Sequence, residues 1–316
     1  MNRPPEDAAT RAPLAPASAG QPRRAFLQGI AAVTTAAAVA PQSMGAWRAD
    51  APLVDVNVSL GNWPFRRVPL QEPAALVSRL RQYGVRQSWT GDLEALWHKD
   101  LARVNARLVD SCHRHGRGML VPFGSVNPAQ PDWREELHRC ARQHRMRGLR
   151  LHPNYHGYTL DDPRFAELLD EAARMGLVVQ LSLVMEDERM MHPLARVAPV
   201  DPAPLAALVK ARPALRVVLL NALRTLRAKP LLELIATEQV FVEIAMLEGV
   251  GGLEALLGQV PHARVLFGSH APLFYFESAW FKLKESDPPP AKLRAIRSEN
   301  ARRLLESLAS RITSTP

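Results

Sequence analysis

Between Leu53 and Gly268 strand-like and helix-like segments alternate eight times, a rhythm that few architectures accommodate. Strand patterns fall at 53–60, 85–90, 119–126, 148–152, 177–184, 215–220, 240–246 and 264–268. Several, such as Leu215-Arg-Val-Val-Leu-Leu220, are almost continuously apolar, as in parallel strands covered on both faces. Helical periodicity at 72–83, 101–115, 133–145, 163–175, 204–211, 230–237 and 253–259 fills the intervals. The 163–175 segment is the clearest. Asp162 is placed to cap it, Pro163 sits in its first turn, and Phe165, Leu168, Leu169 and Ala172 form its inner stripe. Eight such units favour a closed (β/α)8 TIM barrel over an open doubly wound sheet. No GxGxxG or Walker sequence follows the first strand, which counts against nucleotide binding. The chain reads as one α/β barrel domain at 51–310 behind a leader at 1–50.

In such barrels chemistry sits at the carboxyl ends of the strands. The first strand alternates strictly from Val54 to Leu60, which places Asp55, Asn57 and Ser59 on one face. Arg66 follows in the loop after it. The other ends present Asp92, then Ser125 and Asn127, Arg150 and His152, Gln180 and Ser182, Asn221, Glu243, and finally Ser269-His270. A packed barrel floor favours Val, Ile or Leu at these places, so polar groups at all eight ends argue for a site. His192, in the long fifth loop, is placed to enter it, while Tyr155 and His156 read as loop residues. Trp63, Pro64, Phe65, Phe274, Tyr275 and Phe276 are placed to wall the mouth.

The opening strand resembles the Asp-x-His-x-His strand of metal-dependent amidohydrolases, with Asn57 and Ser59 in place of the two histidines. Gly148-Leu-Arg-Leu-His-Pro153 is similar to the fourth strand of the amidohydrolase-related family typified by aminocarboxymuconate semialdehyde and resorcylate decarboxylases. Arg264-Val-Leu-Phe-Gly-Ser-His-Ala-Pro272 resembles that family's eighth-strand signature, and Glu299-Asn-Ala-Arg-Arg-Leu-Leu305 its closing helix. The resemblance implies a TIM barrel over most of residues 53–306. It also implies metal ligands where this chain has Ser182, Asn221 and His270 instead of the family's His, His and Asp. Asn and Ser are feeble zinc ligands. The family includes metal-independent lactonases, so loss of the metal does not by itself end the implied activity.

The leading expectation is a metal-independent hydrolase of a small carboxylated lactone, ester or cyclic substrate, with no cofactor. His270 is expected as general base, Arg150 as carboxylate clamp, and His152, Asn57 and Asn221 as donors to the oxyanion. Asp55 completes the catalytic set, and Ser59, Arg66, Gln180, Ser182 and Glu243 line the substrate. Two alternatives stand beside it. One is a non-catalytic barrel that binds a small anionic ligand or a partner. The other is a metal-dependent hydrolase or decarboxylase whose Asp55, His152 and His270 rebuild a site for a divalent metal such as Zn.

The formal charge is +9, spread as single residues and pairs. No basic run is interleaved with aromatics, which argues against nucleic acid and for a small anionic molecule as partner. Self-association is left open. Two cysteines, Cys112 and Cys140, have no metal-binding spacing and fall on outer helices; free thiols are expected, with a disulfide between them as the alternative.

Residues 1–22 are rich in Pro and Ala and read as disordered. Arg23-Arg24, Phe26-Leu27 and the uncharged run from Ile30 to Ala40 then read as a twin-arginine export signal. The run is too short to remain a membrane span after cleavage, so a periplasmic barrel is expected. Replacing both arginines (Arg23→Lys, Arg24→Lys) should retain the protein in the cytoplasm on cell fractionation, and unchanged export would rule the signal out.

Overall fold

The computed structural model describes residues 52–312, with side chains to Glu306. The leader and its export signal lie outside the described residues. Eight strands run β1 (Leu53–Leu60), β2 (Val85–Asp92), β3 (Leu120–Gly124), β4 (Gly148–Leu151), β5 (Val178–Ser182), β6 (Arg216–Leu220), β7 (Val240–Glu243) and β8 (Val265–Leu266). They pair in sequence order and every pair is parallel. Closure comes from β1 to the far edge: Val56 N donates to Phe267 O at 2.9 Å and Ser59 N to Ala271 O at 2.8 Å. The expected (β/α)8 barrel is the observed fold.

The helices are α1 (Pro73–Gln82), α2 (Leu101–Ser111), α3 (Trp133–His138), α4 (Pro153–His156), α5 (Pro163–Arg174), α6 (Leu205–Lys210), α7 (Ala228–Ile235), α8 (Gly252–Leu257), α9 (Phe276–Ser286), α10 (Pro290–Arg294) and α11 (Asn300–Ile312). Asp162 caps α5 as its position implies, accepting from Arg164 N, and the Phe165, Leu168, Leu169 and Ala172 stripe is buried. From α11, Ala301, Leu304 and Leu305 join barrel residues Val54, Val56, Trp89, Phe123, Val178 and Val218 in one apolar cluster. The polar groups of the opposite end therefore rest on a dry floor.

Two features depart from the sequence pattern. The stretch after β8, unassigned from periodicity, holds α9 and α10. Phe276 opens α9 and is buried against Phe267 and Tyr83, while Tyr275 is 70% exposed, so neither belongs to the mouth wall. The other departure is in β1. From Asp55 to Val58 it advances three residues while β2 advances only two, from Ser88 to Thr90. This shift in register is a bulge in β1.

Both cysteines are buried free thiols. Among the described residues no helix is long and apolar enough to cross a membrane. Gly148 opens β4 where a Cβ would collide with the Phe123 ring and with the Val178 carbonyl oxygen, which is backbone and cannot swing away. Gly148→Ala should accordingly cost about 1–3 kcal/mol, read as a drop in melting temperature of roughly 2–4 °C per kcal/mol for a domain of this size. An unchanged melt would mean that β4 and β5 are less tightly joined than described.

Candidate active site

Arg150 occupies the middle of the barrel and uses all five of its N–H donors there. Nε donates to Gln180 Oε1 at 2.8 Å, Nη1 to Val58 O at 2.7 Å and Ser59 Oγ at 3.0 Å, and Nη2 to Trp89 O at 3.0 Å and Val56 O at 3.4 Å. Gly91 makes the passage possible, since a Cβ there would lie 2.7 Å from Arg150 Cδ. Burial lowers the guanidinium to about 10, against the opposing fields of Asp55 and Glu243, so it remains charged at neutral pH. The sequence reading of Arg150 as a substrate clamp is therefore corrected. Gln180 and Ser59 are likewise occupied, as its partners, and Gln180 Nε2 also donates to Val56 O.

Around this guanidinium most polar strand ends satisfy one another. Glu243 Oε1 accepts from Asn221 N at 2.6 Å and Asn57 Nδ2 at 3.3 Å, and Oε2 from Ala245 N at 2.5 Å. Gly268 leaves room for that carboxyl, which a Cβ would approach to 2.5 Å. Asn57 Nδ2 also donates to Asn221 Oδ1, and Asn221 Nδ2 to Val184 O. Ser182 Oγ donates to Val184 O. The expected oxyanion donors Asn57 and Asn221, and the expected contacts of Ser182 and Glu243 with substrate, are thus internal bonds instead. Arg66 donates to Glu186 and to Leu273 O, which ties the first loop to the fifth and eighth.

Three groups stand apart. Asp55 Oδ1 accepts from Asn57 N and Ser269 N, each at 3.0 Å, while Oδ2 has no hydrogen-bond partner among the described residues. Both ring nitrogens of His152 are buried and unpartnered there. His270 Nε2 lies 2.8 Å from Met185 O; a carbonyl only accepts, so that nitrogen carries the proton and the unpartnered Nδ1 holds a lone pair. Asn221 and His270 are also non-glycine residues at φ 57° and 59°, a left-handed backbone held at the ends of β6 and β8.

Burial divides these groups by acidity. It lifts Asp55 to about 7, outweighing the donors from Ser269 and Asn57 that favour the carboxylate. It pushes His270 down to about 4, and His152 well below its usual value with help from His156, Arg150 and His270. His270 is thus a weaker base than the sequence suggests, and Asp55 the stronger. An imidazole keeps its usual value near 6.5 only in water, and this one is buried.

The mouth is roofed by Trp63, Phe65, Trp97, Tyr155, Met185, Leu273 and Phe274, drawn from five loops. Trp97 meets Trp63, Phe65 and Tyr155 at centroid distances of 5.4, 5.0 and 5.1 Å. His192 stacks on the Phe65 ring from the outside at 4.9 Å and is exposed, so it does not enter the site. Tyr155 reads from the sequence only as a loop residue and Trp97 not at all, because loop aromatics carry no periodic signal; Trp97 follows the end of β2 closely, the one hint available.

Unfolded, Asp55 ionises near 3.8, whereas the fold keeps its proton to about 7. Its contribution to stability therefore falls as pH rises through that window. His270 acts in the opposite sense between about 4 and 6.5, so a difference between variants isolates Asp55. Asp55→Asn should gain on the parent protein from about pH 4 to about pH 8, on the order of a few kcal/mol. Thermal melts across that range that keep a constant offset would show that the carboxyl does not titrate this way.

The amidohydrolase family model matches residues 66–306. No curated protein matches the chain in sequence. Among solved structures it is similar to 2,6-dihydroxybenzoate decarboxylase from Rhizobium, with a TM-score of 0.64 at 14% identity over 81% of this chain and 99% of that one. It is also similar to 5-carboxyvanillate decarboxylase from Sphingomonas paucimobilis, at 0.61 and 12% over 81% and 99%. A dihydroxybenzoic acid decarboxylase from a Polaromonas species, solved with manganese and 2-nitroresorcinol, matches at 0.61 and 12% over 81% and 97%. Identities this low speak for the fold alone. Asn57, Ser182 and Asn221, where the sequence resemblance implies metal ligands, are bonded within the protein. Among the described residues no group of three His, Cys, Asp or Glu could hold a metal ion. The match over more than half of its length makes this chain a member of the amidohydrolase family.

Proposed function

We propose that the chain is a hydrolase of small cyclic esters or lactones that works by acid–base chemistry without a metal. One observation carries the reading. Where the other polar strand ends are engaged with one another, Asp55 Oδ2, the two nitrogens of His152 and His270 Nδ1 remain buried and unpartnered among the described residues. Buried polar atoms are seldom left so, and these four, on three side chains inside one barrel, mark a place for reacting atoms. Free water has a pKa of about 15.7, so without a metal its attack needs a base. Asp55, titrating near 7, is suited to take that proton at neutral pH. The water oxygen bonds to the ester carbonyl carbon, and the neutral N–H of His152 meets the oxyanion that forms. Collapse breaks the carbon–oxygen bond of the ring, and the proton held by Asp55 passes to the leaving oxygen. His270, fixed by its bond to Met185 O, offers Nδ1 to position the water.

A second reading has an observation of its own. The aromatic roof leaves Trp63 only 2% exposed, so a barrel that binds without turnover fits the same geometry. A panel of esters and lactones separates the two. Hydrolysis should resist chelators, rise with an apparent pKa near 7, and fall roughly 10²–10⁴-fold in Asp55→Asn. Absence of turnover on the whole panel would leave the binding reading, and chelator-sensitive turnover would refute metal independence.

A further inference from the structure

The roof carries three buried polar atoms of its own. Trp63 Nε1, Trp97 Nε1 and the Tyr155 hydroxyl have no hydrogen-bond partner among the described residues, although all three belong to one apolar cluster. An orphaned buried donor costs about 1–3 kcal/mol, so three in contact call for a complement. The indole N–H groups can only donate, and the phenol can donate too, so that complement consists of acceptor oxygens. The roof reaches the reacting groups through Phe274, whose ring lies 5.1 Å from that of His270, and through Tyr155, three residues beyond His152.

The buried and part-buried cations here are already engaged. Arg150 has each donor engaged, Arg66 is paired with Glu186, and Lys282 Nζ donates to the carbonyls of Ile244 and Ala245. Asp55 and Glu243 are buried carboxyl groups inside the barrel, and Glu186, the partner of Arg66, is buried in the loop after β5. A carboxylate entering there would lose its water to face neutral donors and other carboxyls. We infer that the substrate is an uncharged, flat, oxygen-bearing ring of the aromatic lactone type, and that Trp63, Trp97 and Tyr155 recognise its oxygens. This stands against the small anionic partner expected from the net charge and from Arg150 as a clamp, and it rests on the hydrolase reading only for the word substrate.

The test is equilibrium dialysis of the purified protein with coumarin, whose conjugated lactone resists opening, and with coumarin-3-carboxylate, which differs by one charge. Coumarin should bind saturably and the carboxylate at least about tenfold more weakly. Tyr155→Phe and Trp97→Phe should each weaken coumarin roughly five- to tenfold, the loss of one neutral hydrogen bond. Tyr155→Phe should melt no earlier than the parent protein, because it removes an unpartnered hydroxyl. Tyr275→Ala, exposed and outside the roof, should bind as the parent does. Equal or tighter binding of the carboxylate, no binding of either probe, or roof variants indistinguishable from the parent would overturn the inference. Dihydrocoumarin, an openable lactone, separates the two claims. If coumarin is bound through the roof and dihydrocoumarin is not opened, the hydrolase reading alone fails. If a carboxylated lactone is preferred and opened, only the present inference fails.

Discussion

Arg150 enters the barrel from β4 and donates to acceptors on β1, β2 and β5 at once. A buried guanidinium is costly unless every donor is met and opposite charge stands near. Here the five donors are met, and the carboxyl groups of Asp55 and Glu243 supply the field. The rest of the site follows from that requirement. Gly91 must lack a side chain for the guanidinium to pass, Gln180 as an amide both accepts from Nε and donates to Val56 O, and β1 offers Val56 O and Val58 O to one planar group. The central cation belongs to the scaffold.

A scaffold charge of this kind changes what its neighbours do. With Arg150 engaged and Glu243 locked by Asn57, Asn221 and Ala245, the barrel interior holds few polar atoms that can still form new bonds. Those that can are deeply buried, and desolvation then sets their chemistry. A carboxyl and an imidazole moved into the same dry place shift in opposite directions, because burial penalises an anion in one and a cation in the other. That single effect carries Asp55 past His270 in basicity.

The roof imposes a further constraint on access. Rings from the first, second and fourth loops meet edge to face around Trp97, and Arg66 joins its loop to Glu186. Entry of any ligand requires these loops to part.

The amino-acid sequence by itself determined the barrel, because eight alternations of apolar strand and amphipathic helix leave a parallel closed sheet as the way to bury both faces. It also named Asn57, Ser182 and Asn221 as polar residues at three strand ends, since residue identity there needs no coordinates. The bulge in β1 escaped it, as a two-residue period carries no mark of one extra residue inserted into an otherwise alternating strand. Only the tertiary structure decided which polar atoms remain available. Arg150 meets Val58 across 92 positions of chain and Asp55 meets Ser269 across 214. Whether a side chain is satisfied depends on partners that far away, and its proton affinity depends on how much water those partners exclude.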